Sequence, residues 1–360
     1  MPKQIQFSEL SCKFFVLPIN QITDNNMKGK GPGKYFRKGI TMKKILMMFP
    51  DDATAEAWFV EKRWSGKPVC PHCGCDNVKV GAKHKSMPFR CRRQECQKRF
   101  SVKTGTVMEG SKIGYQNWIL ATYLMCTSLK SISSMKLHRE LGMTQKSSWF
   151  LAHRLRSALE AKEGIFSGPV EADEAYFGGK RKNMSNKRRK ELEGTGRGPV
   201  GKTAVVSIKD RETNQIRAKV VNNTDKEALQ EFIESYTDED AQVYTDEALA
   251  YRGMPRKHDF VKHSAKEYVR EMVHTNGVES FWATLKRAHM GTFHKFSPKH
   301  LQRYADEFSG RHNMRDLDTK DQIVYISKGM QEKRLRYVDL IRNNGLSSGA
   351  RPVTLYQNMT

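Results

Sequence analysis

Apolar residues along this chain switch between helix and strand spacing. Ile45, Met48 and Phe49, then Ala53, Ala57 and Trp58, predict short helices over 42–63. Trp118, Ile119, Tyr123 and Leu124 predict one helix from Tyr115 to Lys130. Two more, Ser131 to Glu140 and Gln145 to about Glu160, flank a turn at Leu141-Gly142-Met143-Thr144, a helix-turn-helix pattern. On the last of these Leu151, Leu155 and Leu159 share a face. Lys146, Trp149, His153 and Arg156 fall on the opposite one, a candidate for entry into a DNA major groove. The plain alternative is a three-helix bundle with a solvated basic face.

From 168 the pattern changes. Val170 to Lys180 alternates as a strand, with Glu171, Asp173 and Ala175 on one face and Ala172, Glu174 and Tyr176 on the other. Thr203 to Ile208 and Gln215 to Val221 continue as a meander through the turn Asp210 to Asn214. Asp225 to Tyr236 is an amphipathic helix, and Ala241 to Thr245 a fourth strand ending at Asp246. Strands in a row, then helix, strand and final helix is the order of a ribonuclease-H-like α/β domain, a mixed sheet flanked by helices. The final helix opens near Asn276. At about 100° per residue, Val278, Phe281, Trp282 and Leu285 fall on one side. Asn276, Glu279, Ala283 and Lys286 fall on the other, so an amide, a carboxylate and an amine stand in line beside an anchored face.

Composition narrows the class. The 360 residues carry a formal net charge of +24. So large an excess calls for a polyanionic partner, and nucleic acid is the usual one. No run of 18 apolar residues and no clean signal core occur, so a membrane role is not expected and the expected place is the cytoplasm, at the nucleoid. Five of the seven cysteines lie between Cys70 and Cys96, which favours metal over disulfides. Cys70-Pro-His-Cys73 is a knuckle. Cys91 and Cys96, with four residues between them, form a longer second one. Together they predict a structural zinc ribbon. Cys75 is a spare candidate ligand and His72 a weaker one. Cationic neighbours (Lys79, Lys83, Lys85, Arg90, Arg92, Arg93, Lys98 and Arg99) suit DNA contact.

Asp173, Asp246 and either Glu279 or Asn276 are widely spaced oxygen donors in a very basic chain. Such a set suits magnesium or manganese, hard ions that take carboxylates, waters and phosphate. Two ions about 4 Å apart can activate an attacking oxygen and stabilise a leaving one. In that reading Asp173 bridges both ions, Asp246 holds one, Glu279 or Asn276 the other, and Lys286 meets phosphate as a point charge.

These residues resemble a bacterial insertion-sequence transposase of the zinc-ribbon DDE branch. The resemblance rests on Cys70-Pro-His-Cys73, Arg99 to Thr106, Val170 to Lys180, Tyr244-Thr-Asp246 and His274 to Arg287, with Gly291-Thr-Phe-His294 and His300 to Phe308 at the C-terminal end. It covers about Met42 to Arg315. It implies metal-dependent cleavage at element ends, then attack of the freed 3′-hydroxyl on target DNA. It also implies double-stranded DNA as partner, both terminal inverted repeats and target, and a homo-oligomer on that DNA. In this family the third ligand is Asn or Glu followed by Lys; both candidates stand here, and Arg287 joins the DNA-contact candidates. A DNA-binding regulator without catalysis, or a nuclease of the same fold, are the competing readings.

The expected organisation is a basic disordered extension over 1–41, short helices over 42–63, the ribbon over 64–110 and the helix-turn-helix module over 111–165. The catalytic domain follows over 166–315 and a polar basic tail over 316–360. The extension includes a short strand at Cys12 to Leu17 and a Gly- and Lys-rich stretch from Asn25 to Gly39, and Met42 is a candidate start. Lys180 to Lys202, with nine Lys/Arg and two Glu, is an insertion between the first two strands, either a loose loop or a clamp on DNA.

Overall fold

A computed structural model describes residues 38–348, apart from 85, 161–163, 180–182, 193–199 and 262–271. The expected strand at Cys12 to Leu17 lies outside these residues. The first helices are α1 (Met42–Met48) and α2 (Asp52–Trp64). Their starts are fixed by side chains: Thr41 accepts from the Lys44 amide and Asp51 from the Thr54 amide. Ile40, inside the expected extension, is already core, and its carbonyl accepts from the Tyr123 hydroxyl at 2.9 Å.

A small antiparallel sheet follows, β1 (Val78–Lys79), β2 (Phe89–Cys91) and β3 (Arg99–Phe100). It is too small for its own core, so Trp64 at the end of α2 supplies one. The indole packs edge-on to Phe89 at 5.6 Å and Phe100 at 5.9 Å. Arg63 donates to the carbonyls of Val102 and Thr104, both at 2.7 Å, tying this module to the helices.

Next come α3 (Tyr115–Thr127), α4 (Ser134–Leu141) and α5 (Gln145–Ala158). The turn after α4 works because Gly142 takes a left-handed φ of +62° and Thr144 caps α5 through the Ser147 amide.

The second half holds β4 (Val170–Phe177), a short α6 (Asn186–Glu191) within the insertion, β5 (Thr203–Asp210) and β6 (Ile216–Val221). Then come α7 (Lys226–Glu234), β7 (Gln242–Thr245), β8 (Lys257–Phe260), α8 (Asn276–Ala288) and α9 (Leu301–Asn313). The five strands lie in the order β6-β5-β4-β7-β8, antiparallel from β6 to β4 and parallel from β4 to β8. Strand β8 has no counterpart among the expected elements. On one face Val170, Ala172, Val206 and Ile208 pack on Leu229, Phe232 and Ile233 of α7. On the other Ala175, Phe177 and Val205 meet Val278, Phe281, Trp282 and Leu285 of α8 and Leu301, Ala305 and Phe308 of α9. The alternation of β4 and the apolar stripe of α8 are both as the sequence predicts.

The expected polar tail over 316–360 is a correction. α10 (Thr319–Gly329) sends Ile323 and Ile326 into the same core as α2, α3 and α5, and Met330 follows. Val107 donates to the Met330 carbonyl at 2.9 Å, and Arg154 Nε to the Leu335 carbonyl at 3.1 Å. A short α11 (Tyr337–Ile341) then packs Tyr337 on Trp149 and Phe150. This segment is the closing layer of the N-terminal helical core. Among the described residues no helix is long and apolar enough to cross a membrane.

Candidate active site and zinc centre

Register brings the two aspartates together. β4 and β7 are parallel neighbours with Val170 opposite Val243 and Glu171 opposite Tyr244. Continued past the strand end, that register sets Asp173 beside Asp246. α8 packs its apolar stripe on the same side of β4 that carries Asp173, so Glu279 on its first turns arrives from above. Electrostatics record the result. Burial pushes the Asp173 carboxyl up to about 7, and the charges of Glu174, Asp246 and Glu279 push the same way. The Glu174 amide, which donates to Asp173 Oδ1 at 2.8 Å, opposes the shift. Four acids thus act on one another around one strand end.

The remaining predicted residues sort clearly. Asn276 is the first residue of α8 and exposed, three residues from Glu279 on the same face. Lys286 and Arg287 are exposed in the last turn, and Arg287 donates to Thr284 Oγ1 at 3.2 Å. On α5 the groove-reading face is corrected. His153 and Arg156 are 0% and 2% exposed, because α9 lies over them. Arg156 Nε donates to Glu307 Oε2 of α9 at 2.8 Å, and Trp149 packs edge-on to His153 and His300. Lys146 stays exposed, its ammonium over the Tyr337 ring at 4.6 Å. A helical-wheel argument separates an apolar stripe from a polar one. It cannot see that a second helix covers the polar stripe with matching charge.

Three residues gain importance from the fold. Tyr251, fully buried, donates its hydroxyl to Glu174 Oε2 at 2.5 Å and so fixes the acid next to Asp173. Glu171 accepts from Arg211 Nε at 2.9 Å and from the Val278 amide at 2.9 Å. The period-2 pattern of β4 already aimed Glu171 toward the helix that carries Glu279. Nothing local in the sequence marks Arg211 or Tyr251.

The cysteine module closes despite its long second knuckle. Sγ atoms of Cys70, Cys73, Cys91 and Cys96 all lie within 4.8 Å of one another. Cys70 stands 3.8 Å from Cys96, and Cys73 3.6 Å from Cys91. Four soft ligands around one point fit tetrahedral zinc. The spare Cys75 turns away toward the Asn77 carbonyl at 4.0 Å. Among the described residues this is the one group of three or more metal-ligating side chains drawn so close, and the carboxylates stand farther apart.

Comparison with known proteins agrees on both modules. The transposase zinc-ribbon domain family matches residues 50–99, a span that takes in all of α2. The ISXO2-like transposase domain family matches residues 165–313. An uncharacterized protein in transposable element ISH50 of Halobacterium salinarum is 27% identical over 276 residues, 74% of this chain and 92% of that protein. A chain of the simian T-cell lymphotropic virus intasome in complex with PP2A regulatory subunit B56 gamma aligns at 10% identity. It covers 54% of this chain and 65% of that one, with a TM-score of 0.25.

The chain is therefore similar to insertion-sequence transposases at two separate places, a zinc ribbon and a transposase domain. The sheet-bearing half is the part that matches the ISXO2-like transposase domain.

Proposed function

We propose that this chain is an active DNA transposase that cuts the ends of its element and joins the freed 3′-hydroxyls to target DNA. The observation that carries the reading is the convergence of Asp173, Asp246 and Glu279 from three separate elements, with burial first and the neighbouring acids second pushing Asp173 up to about 7. The strand order, and the placement of α7 on one sheet face with α8 and α9 on the other, support a ribonuclease-H-like core.

The donor set fits magnesium or manganese: hard carboxylate oxygens in a pocket of excess negative charge. Asp173 and Asp246 would be ligands, with Glu279 or Asn276 as the third. Its direct electrostatic reach to Asp173 favours Glu279. A pair of divalent ions supplies activation of the attacking oxygen and relief of charge on the leaving one. The chain's own part is to hold these acids at fixed separation. Tyr251 pins Glu174 so that its charge stays beside Asp173, and Lys286, exposed two turns beyond Glu279, would meet phosphate.

DNA recognition on this reading falls to the ribbon. Lys79, Lys83, Arg92, Arg93, Lys98 and Arg99 are exposed there, whereas the cations of α5 are mostly covered. Joining two element ends calls for two or more copies on DNA. The test is strand transfer with labelled element ends and magnesium. Wild type should give joined product, and Asp173→Ala should reduce it by at least about 100-fold, since the acid acts only through the reacting centre. Equal product from both would refute the catalytic claim. Cutting without joining would leave a nuclease, and DNA binding with neither would leave a regulator.

A further inference from the structure

Glu171 is a carboxylate only 1% exposed that the proposed ligand set does not use. Its Oε1 accepts from Arg211 Nε at 2.9 Å and lies 3.4 Å from His274 Nδ1. Its Oε2 accepts from the amide of Val278, the third residue of α8, at 2.9 Å. Thr275, the residue at the cap position, makes no side-chain cap bond. A strand carboxylate two residues before Asp173 thus does the work that a helix normally assigns to its own N-cap.

Arg211 completes the arrangement from the turn after β5. Its guanidinium stacks over the Tyr244 ring of β7 at 4.2 Å. Nη1 donates to the Met272 carbonyl at 2.5 Å and Nη2 to the His274 carbonyl at 2.6 Å. One planar fork therefore touches β4, β7 and the chain entering α8, the three elements that carry Asp173, Asp246 and Glu279. Gly277 fits the same geometry. A Cβ there would lie 2.7 Å from Glu171 Oε2 and closer still to Lys209 Nζ, so a side chain at this position would have to push Glu171 or Lys209 out of place.

We infer that Glu171 and Arg211 form a positioning clasp that sets the height of α8, and with it Glu279, above Asp173 and Asp246. Buried ion pairs are poor sources of net stability, so fixed geometry is the better account of this one. The inference rests on the proposed metal site.

The experiment measures manganese affinity of the full, zinc-loaded chain by electron paramagnetic resonance, with thermal unfolding in parallel. The variants are Glu171→Gln, Gly277→Ala and Asp173→Ala. Glu171→Gln keeps an oxygen for Val278 but removes the charge and turns an amide donor toward Arg211. Gly277→Ala keeps every charge and breaks the same contact from the helix side, so it decides if the first variant fails to fold. Both should bind manganese about 10- to 100-fold more weakly while still unfolding cooperatively, the usual loss when an outer support of a metal site is removed. Wild-type affinity in folded Gly277→Ala, with binding lost in Asp173→Ala, overturns the clasp and spares the metal site. Wild-type affinity in Asp173→Ala overturns the metal site itself.

Discussion

Arg156→Ala separates a structural role from a DNA-contact role for the polar face of α5. In the fold Arg156 Nε lies 2.8 Å from Glu307 Oε2, with side chains 2% and 0% exposed. The guanidinium also sits over the Tyr304 ring at 4.2 Å. Removing it leaves a buried carboxylate whose nearest remaining cation is Arg311, 3.9 Å away. Stranding one partner of a buried pair costs about 3–5 kcal/mol. At about 2–4 °C per kcal/mol for a large domain, the melting temperature should fall by roughly 6–20 °C. Calorimetry or circular dichroism measures that directly. DNA affinity is measured in parallel across a salt series, well below both transitions. A phosphate contact made by Arg156 would shallow the slope of log K against log salt by about 0.9. The fold predicts an unchanged slope and a large loss of melting temperature. An unchanged melting temperature with a shallower slope would return Arg156 to the DNA interface and refute the packing argument.

Two further outcomes concern the cysteine cluster and Asp173. Cys96→Ser should lose zinc and unfold the ribbon, whereas Cys75→Ser, whose sulfur points to the Asn77 carbonyl, should keep one zinc per chain by mass spectrometry of the native protein. Equal zinc content in both would deny Cys96 its place. In metal-free protein the Asp173 carboxyl is raised to about 7 from its ordinary 3.8, so the folded state holds its proton more tightly than the unfolded chain. Its stabilisation is complete below about pH 4 and lost as pH rises through about 7. Relative to Asp173→Asn, the wild type should therefore melt progressively lower from pH 4 to 8, and added magnesium should restore it most at the upper end. Parallel pH profiles of wild type and Asp173→Asn would sink this account.

Local rules made much of the fold legible. Caps at Asp51, Thr144 and Asp225, and the alternation of β4, depend on a few neighbouring residues, and the expected elements stand within a few positions of the observed ones. The acids were legible for the same reason, since each closes or opens an element. What failed was long-range. Ile323, Ile326 and Met330 are sparse apolar positions in a polar segment, and only the partner surface of α2, α3 and α5 makes them a core stripe. The four-residue spacer of Cys91 and Cys96 looked irregular. The hairpin turns Cys96 back regardless, with Gln97 at a φ of +47° and Cys96 donating its amide to the Arg93 carbonyl. Arg211 is one of many surface-type cations in sequence, and its four acceptors come from residues 40 to 63 positions away.

Helix α9 joins the helical module to the sheet. One side serves the sheet, where β6 is the edge strand. Gln302 Oε1 accepts from the Val220 amide and Asn313 Oδ1 from the Ile216 amide, each at 2.7 Å. The amide groups of the same side chains donate to the Ala218 and Ile216 carbonyls at 3.1 and 3.0 Å. An edge that would otherwise invite another strand is thereby closed. Its other side presents Glu307 to Arg156 of α5. The same 13-residue helix thus locks the helical module to the layer that also carries α8. A groove-reading α5 would have needed an open polar face and freedom to orient. The fold spends that face on internal contact instead, which leaves the exposed cations of the ribbon as the better place for DNA to meet the N-terminal half. Because the ribbon is seated on α2 through Trp64 and Arg63, DNA held there would lie at a fixed offset from Asp173 and Asp246, as cutting at a defined element end requires.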